Sequence, residues 1–148
     1  MKTINKFGLL LLLILSICSC DKQKSVSSTK ANISYAQLPL NVIINQMAVY
    51  PTFDEKHVGF TGHVSPQYSR FVRMNELATD TELIRLTNHQ SVNVRAYAMW
   101  ALAKRQHPRL KALINSKITD TALLDHFAGC LIMNESINSF YKSLIETH

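Results

Sequence analysis

Two hydrophobic patterns divide the chain. Between Gly8 and Ile17 every residue except Ser16 is apolar, with no period. From Leu40 onward the apolar residues are spaced. Leu40, Ile43, Ile44 and Met47 recur at the i, i+3, i+4, i+7 interval that builds one face of an α-helix. Pro39 suits a first helical turn and Pro51 a stop, so the pattern predicts a helix over Pro39–Val49. The next stretch, Tyr50–Pro66, breaks the period. It holds two Gly, two Pro and two His and reads as a loop.

Helical spacing resumes at Gln67–Ala78, with Tyr68, Phe71, Val72 and Leu77 apolar. Thr79-Asp80-Thr81-Glu82 is a capping-box sequence: the Thr hydroxyl accepts the N3 amide and the Glu carboxylate reaches back to the Thr amide. A short helix with Leu83, Ile84 and Leu86 on its face then ends near Asn88, and Gln90–Asn93 is a turn. Val94–Gln106 carries the best helical pattern, with Val94, Ala98, Ala101 and Leu102 on one face and Tyr97 and Trp100 widening it. Pro108 starts another helix to about Ser116. Thr119 to the C-terminus is expected to add a further helical pair. Within it, Phe127–Met133 is apolar enough for a strand, and Gly129 disfavours a helix. The fold class expected is all-α, a short stack of antiparallel helical pairs.

Composition changes the picture mainly at the N-terminus. The chain has 148 residues, 47% hydrophobic and 18% charged, with a net charge of +6 and mean hydropathy of zero. That length allows one compact domain. Three cysteines are too few for a disulfide scaffold. Lys2 and Lys6 precede the apolar run, which is too short to span a hydrocarbon core of about 30 Å. Together they have the form of an export signal. The sequence Ile17-Cys18-Ser19-Cys20-Asp21 resembles the lipobox of bacterial lipoproteins. That resemblance implies a diacylglycerol-modified Cys20 with cleavage before it. Cys18 is the rival, disfavoured by the bulky Ile17 at its cleavage position. The expected organisation is a signal peptide over 1–19, a lipidated Cys and flexible tether over 20–34, and a helical domain over 35–148. The tether, DKQKSVSSTKAN, lacks the apolar residues to build a core. Localisation at the cell envelope follows, with the membrane as a partner through the lipid. Cys130 then reads as a buried small hydrophobe, with a free thiol as the alternative.

Residues 82–102 also carry a family resemblance. Glu82-Leu83-Ile84-Arg85-Leu86-Thr87-Asn88-His89, Ser91-Val92-Asn93-Val94-Arg95 and Ala96–Leu102 resemble one HEAT repeat. A first helix ends in a polar turn, a Val-Arg pair opens the second, and Ala98 and Ala101 allow close approach. The family pattern implies that Arg95 braces the turn. Gln90-Ser91 departs from the usual Asp or Asn and Pro. Residues 59–102 are similar to uncharacterised HEAT-like lipoproteins of Bacteroidetes-type bacteria, to which no activity attaches. Thr79-Asp80-Thr81 recurs as Thr119-Asp120-Thr121, a spacing of 40 that suits such arrays. Three stacked pairs fit after Leu38.

Candidate chemistry is sparse. The six histidines, His57, His63, His89, His107, His126 and His148, form neither H-x-x-x-H nor H-E-x-x-H pairs, and no metal or cofactor is expected. There is no G-x-S-x-G, and Gly59-Phe60-Thr61-Gly62 lacks the Lys-Ser/Thr of a phosphate loop. Lys104, Arg105, Arg109, Lys111 and Lys117 have no acidic residue among them. They read either as a partner surface for anionic lipid, polysaccharide or an acidic protein, or as a solvated helix end favoured by the helix dipole. Nucleic acid is not expected as a partner outside the cytoplasm. The function expected is non-enzymatic: a membrane-tethered module that binds or scaffolds an unknown envelope protein, with Lys104, Arg105, Arg109 and Lys111 as its partner surface. One alternative is a small envelope enzyme or metal binder using the 50–66 loop; His57, His63 and Cys130 have no spacing that assembles them and could meet only through the fold. Another is an immunity or inhibitor lipoprotein.

Overall fold

The computed structural model describes residues 35–146. Cys18, Cys20, the signal, the tether and His148 lie outside the described residues. After a short 3₁₀ turn at Tyr35–Gln37 come α1 (Leu40–Val49), β1 (Phe53–Val58), β2 (His63–Val64), α2 (Pro66–Leu77), α3 (Asp80–Leu86) and α4 (Val92–Lys104). Then follow α5 (Leu110–Asn115), β3 (Leu123–Gly129), β4 (Leu131–Ser136) and α6 (Ile137–Glu146). The all-α expectation is corrected: this is an α+β fold with a four-stranded mixed sheet in the order β2-β1-β3-β4. β1 runs parallel to β3, and the other pairs are antiparallel. Four helices, α2 to α5, separate the two central parallel strands in sequence.

β1 and β2, in the stretch expected to be a loop, escape a pattern reading for a physical reason, whereas Phe127–Met133 is strand apart from Cys130, as its apolar run allows. β1 is Phe-Asp-Glu-Lys-His-Val, with one apolar residue at each end and none between. Phe53 pairs beside His126, and His126 lies opposite Met133, so these three share a sheet face. The polar middle of β1 conceals the period of two. β3 and β4 occupy the expected last helical pair. There the C-terminal Thr-Asp-Thr leads into a strand and not a helix. Asp120 Oδ1 accepts the Ala122 amide at 3.2 Å, and its carboxylate faces the Arg95 guanidinium at 3.1 Å. The repeated tripeptide therefore marks no structural repeat.

The α3–α4 pair matches its sequence closely. The Thr79 hydroxyl accepts the Glu82 amide, and Glu82 Oε2 accepts the Thr79 amide at 2.8 Å, so both halves of the capping box form. These bonds hold the Glu82 carboxyl below its usual range. Arg95 donates to the carbonyls of His89 at 3.0 Å and Gln90 at 2.9 Å and so braces the turn. α4 packs against the five other α-helices and against β1 and β3. It is therefore buried on nearly every side, from Val94 and Ala96 through Met99, Leu102 and Ala103. Its four buried alanines leave room for that many neighbours.

Polar staples join the helices to β1. β2 is too short to cover the start of β1, and the Tyr97 hydroxyl takes its place. It accepts the Asp54 amide and donates to the Asp54 carbonyl, both at 2.8 Å. Burial pushes the Tyr97 hydroxyl far above its ordinary range, which keeps it protonated for that donation. The Asp54 carboxylate, itself buried, accepts from Thr52 Oγ1 and Ser65 Oγ, both at 2.5 Å. Ser65 in turn caps α2 by accepting the Gln67 and Tyr68 amides. Asn93 Nδ2 donates to the Tyr50 carbonyl at 2.6 Å, and Gln67 Nε2 to the Met47 carbonyl at 3.2 Å. Buried polar groups of this kind are stable only when partnered.

Candidate binding surface

The residues of the basic cluster differ in their surroundings. Arg105 is structural: it donates to Asn75 Oδ1 at 3.1 Å, to the Ala78 carbonyl at 2.8 Å and to the Asp80 carboxylate at 2.5 Å. It also bonds the Asn75 carbonyl. These contacts close the end of α2 and satisfy carbonyls that a helix end leaves unpaired. Lys104 sits over the Trp100 ring, 4.8 Å from its centroid. Lys117 reaches Asn88 Oδ1. Arg109 and Lys111 are exposed around the α4–α5 turn, where Lys111 lines an open cleft of about 400 Å³ with Gln106, His107 and Ile145. Of the aromatic pair, Tyr97 is core, and Trp100 stacks on Phe71 with ring centroids 4.6 Å apart.

The histidines are dispersed. His57 pairs with Val64 and Val58 with His63, so His57 and His63 point to opposite faces of their hairpin. They cannot ligate one ion together. Among the described residues no group of three or more His, Cys, Asp or Glu is arranged to hold a metal. Cys130 is exposed at a hairpin turn and has no disulfide partner, so the reading of it as a buried hydrophobe is corrected. His89 lines a cleft of about 430 Å³ between α1 and α3 with Asn41, Asn45, Glu82 and Arg85. Burial, then Arg95 and Arg85, push its imidazole below the ordinary value. Its Nδ1 accepts the Ser91 amide at 3.0 Å.

Among the described residues, His126 is the one histidine drawn between two carboxylates, an arrangement that the sequence did not foreshadow. Its Nδ1 lies 2.7 Å from Glu135 Oε1 and its Nε2 3.4 Å from Glu55 Oε1. Its ring edge packs on Phe53 and Phe140, with centroids 5.1 and 5.8 Å away. The cluster ties β1, β3 and β4 together across one sheet face.

The surface that stands out is the open end of the sheet. The β1–β2 loop spans Gly59–Gly62, and β3 and β4 join through Gly129-Cys130. Gly59, at φ +75°, donates its amide to the Gly129 carbonyl at 2.7 Å, so the two hairpin tips are tied together. A Cβ at Gly59 would sit 3.2 Å from the His63 ring as well as strain the backbone. Gly129, at φ +55°, meets the glycine requirement at the first position of a tight two-residue hairpin turn. Beside these tips apolar side chains face solvent: Phe60 is 98% exposed, Leu131 67%, Ile132 59% and Met133 46%. Among the described residues nothing pairs with the outer edge of β4. The one charge on β4 is Glu135, already engaged by His126, while Asn134 donates to Asp125 at 2.7 Å. Natural edge strands are usually blunted by charge, Pro or a bulge, and this apolar one is not.

The apolar run Phe127–Met133 is suited to a single strand in sequence, and the structure divides it between β3 and β4. The missed signal was the Gly129-Cys130 turn between two short apolar runs, which marks a hairpin. Comparison of the chain with known family models, curated proteins and solved structures finds no match.

Proposed function

We propose that the protein is a membrane-tethered lipoprotein of the bacterial cell envelope whose α+β domain is a non-enzymatic protein-binding module. Its partner is an extended segment of an envelope protein that adds a strand along β4. The observation that carries this reading is the open β4 edge, bearing Leu131, Ile132 and Met133 in solvent with no charge directed against pairing. Strand addition supplies main-chain hydrogen bonds, and alternate side chains supply selectivity. An apolar patch retained on a surface marks an interaction site. The tether is supported by the lipobox-like sequence at Cys20. Two acyl chains or more give stable attachment.

The test is photo-cross-linking in intact cells, with a photoactivatable residue at position 134 of the full chain. A discrete protein adduct that disappears with Ile132→Lys is expected. Absence of an adduct, or the same adduct with Ile132→Lys, contradicts the binding site. Separately, Cys20→Ala should abolish acyl labelling and membrane retention. Persistent labelling of Cys20→Ala together with its loss in Cys18→Ala would assign the lipid to Cys18.

A further inference from the structure

The two tied hairpin tips have a second property that strand pairing at β4 does not use. We infer that residues 56–64 and the 128–131 turn form a wedge that enters the interfacial layer of an anionic lipid bilayer, giving the domain a membrane contact of its own and leaving the β4 edge from Ile132 onward to strand pairing. Phe60, 98% exposed, lies in the turn between β1 and β2. Leu131, 67% exposed, follows the turn tied to it through the Gly59–Gly129 bond. A side chain this fully in solvent at a turn offers little packed area to a folded protein, whereas a fluid bilayer closes around it. Aromatic and aliphatic side chains gain by leaving water for that layer.

Charge selects the same partner. Neither 56–64 nor 128–131 contains an acidic residue, while exposed Lys56 lies at the base of the wedge. The nearest carboxylates in sequence are directed inward or sideways: Glu55 and Glu135 onto His126, and Asp125 onto Asn134. A lysine there places its ammonium among headgroups while its stem lies along the apolar layer.

The test uses the full chain with Cys18→Ser, Cys20→Ser and Cys130→Ser, so that it does not depend on lipidation. An environment-sensitive fluorophore is placed through Thr61→Cys in the β1–β2 turn or through Thr81→Cys on α3. Vesicles of phosphatidylethanolamine and phosphatidylglycerol carry a nitroxide-labelled lipid as quencher. The apolar Gly8–Ile17 run is retained, and the Thr81 label reports any contact that run alone produces. Quenching at position 61 should be several-fold greater than at 81. It should fall to the level at 81 when Phe60→Ser and Leu131→Ser are added, with circular dichroism unchanged. Equal quenching at both positions overturns the inference. So does a concentration-dependent blue shift of the position-61 label without vesicles, which would assign the tips to a second copy of the chain.

Discussion

The α3–α4 pair and the hairpin end of the sheet are both rich in apolar residues, and they use them oppositely. In α4, Val94, Tyr97, Met99 and Leu102 are completely enclosed, and the helix is the hub around which the others pack. On β4, Leu131, Ile132 and Met133 lie in solvent on a strand that, among the described residues, is paired along one side alone. The first region is held by side chains whose removal leaves cavities. The second is held by main-chain ladder bonds, a glycine-to-glycine tie and the His126–Glu135 pair, none of which needs the apolar side chains. Stability is thus carried by one set of apolar residues, and the recognition we propose by another set of the same domain.

The sharpest way to break this contrast is to truncate one side chain in each region. Leu102→Ala should cost about 2–5 kcal/mol in chemical denaturation, the range for a fully buried Leu. Ile132→Ala should stay within about 0.5 kcal/mol. Similar losses at the two positions would erase the distinction. A smaller effect is expected from Tyr97→Phe, which removes one oxygen but leaves the Asp54 amide and carbonyl without their partner. Unsatisfied buried groups cost about 1–3 kcal/mol, and the unfolding midpoint in urea would report it.

Next comes the basic cluster. Arg105→Gln should destabilise by about 1–2 kcal/mol through the lost bonds to Asn75, Ala78 and Asp80. Arg109→Gln, on an exposed turn, should be nearly neutral. Comparable shifts in melting temperature would mean that Arg105 is as dispensable as the rest of the cluster. The mildest effect concerns pH. His89 is held below its ordinary value of 6.5 by burial and by Arg95 and Arg85, so the folded state prefers the neutral ring. Its contribution is complete above about pH 6.5 and is lost as pH falls through the lowered folded value. Denaturation across that range should show a loss on the acid side that His89→Gln reduces.

Legibility followed the same division. The capping box at Thr79–Glu82 and the helix bounds around α1 to α5 are readable because local bonds and the 3.6-residue period act within a few residues, while the bracing role of Arg95 is legible only through the HEAT resemblance. Tyr50–Pro66 read as a loop because β1 keeps its apolar residues at its two ends and fills the middle with Asp, Glu, Lys and His. What orders that strand is remote: the Tyr97 hydroxyl, 43 residues away, and β3, beyond four helices. The exposure of Leu131, Ile132 and Met133 is not legible in the apolar run Phe127–Met133, because hydrophobicity alone does not say which face will find a neighbour. The His126 cluster depends on Glu55 and Glu135 converging through register, which no spacing rule encodes.

The central claim is that the apolar residues of β4 belong to a partner and not to the fold. Thermal unfolding of the Ile132→Lys, Met133→Lys double variant tests it most directly. The account predicts a melting temperature and circular dichroism spectrum indistinguishable from those of the unaltered chain. A fall comparable to that of Leu102→Ala would contradict it, by placing those side chains among the contacts that hold the domain together.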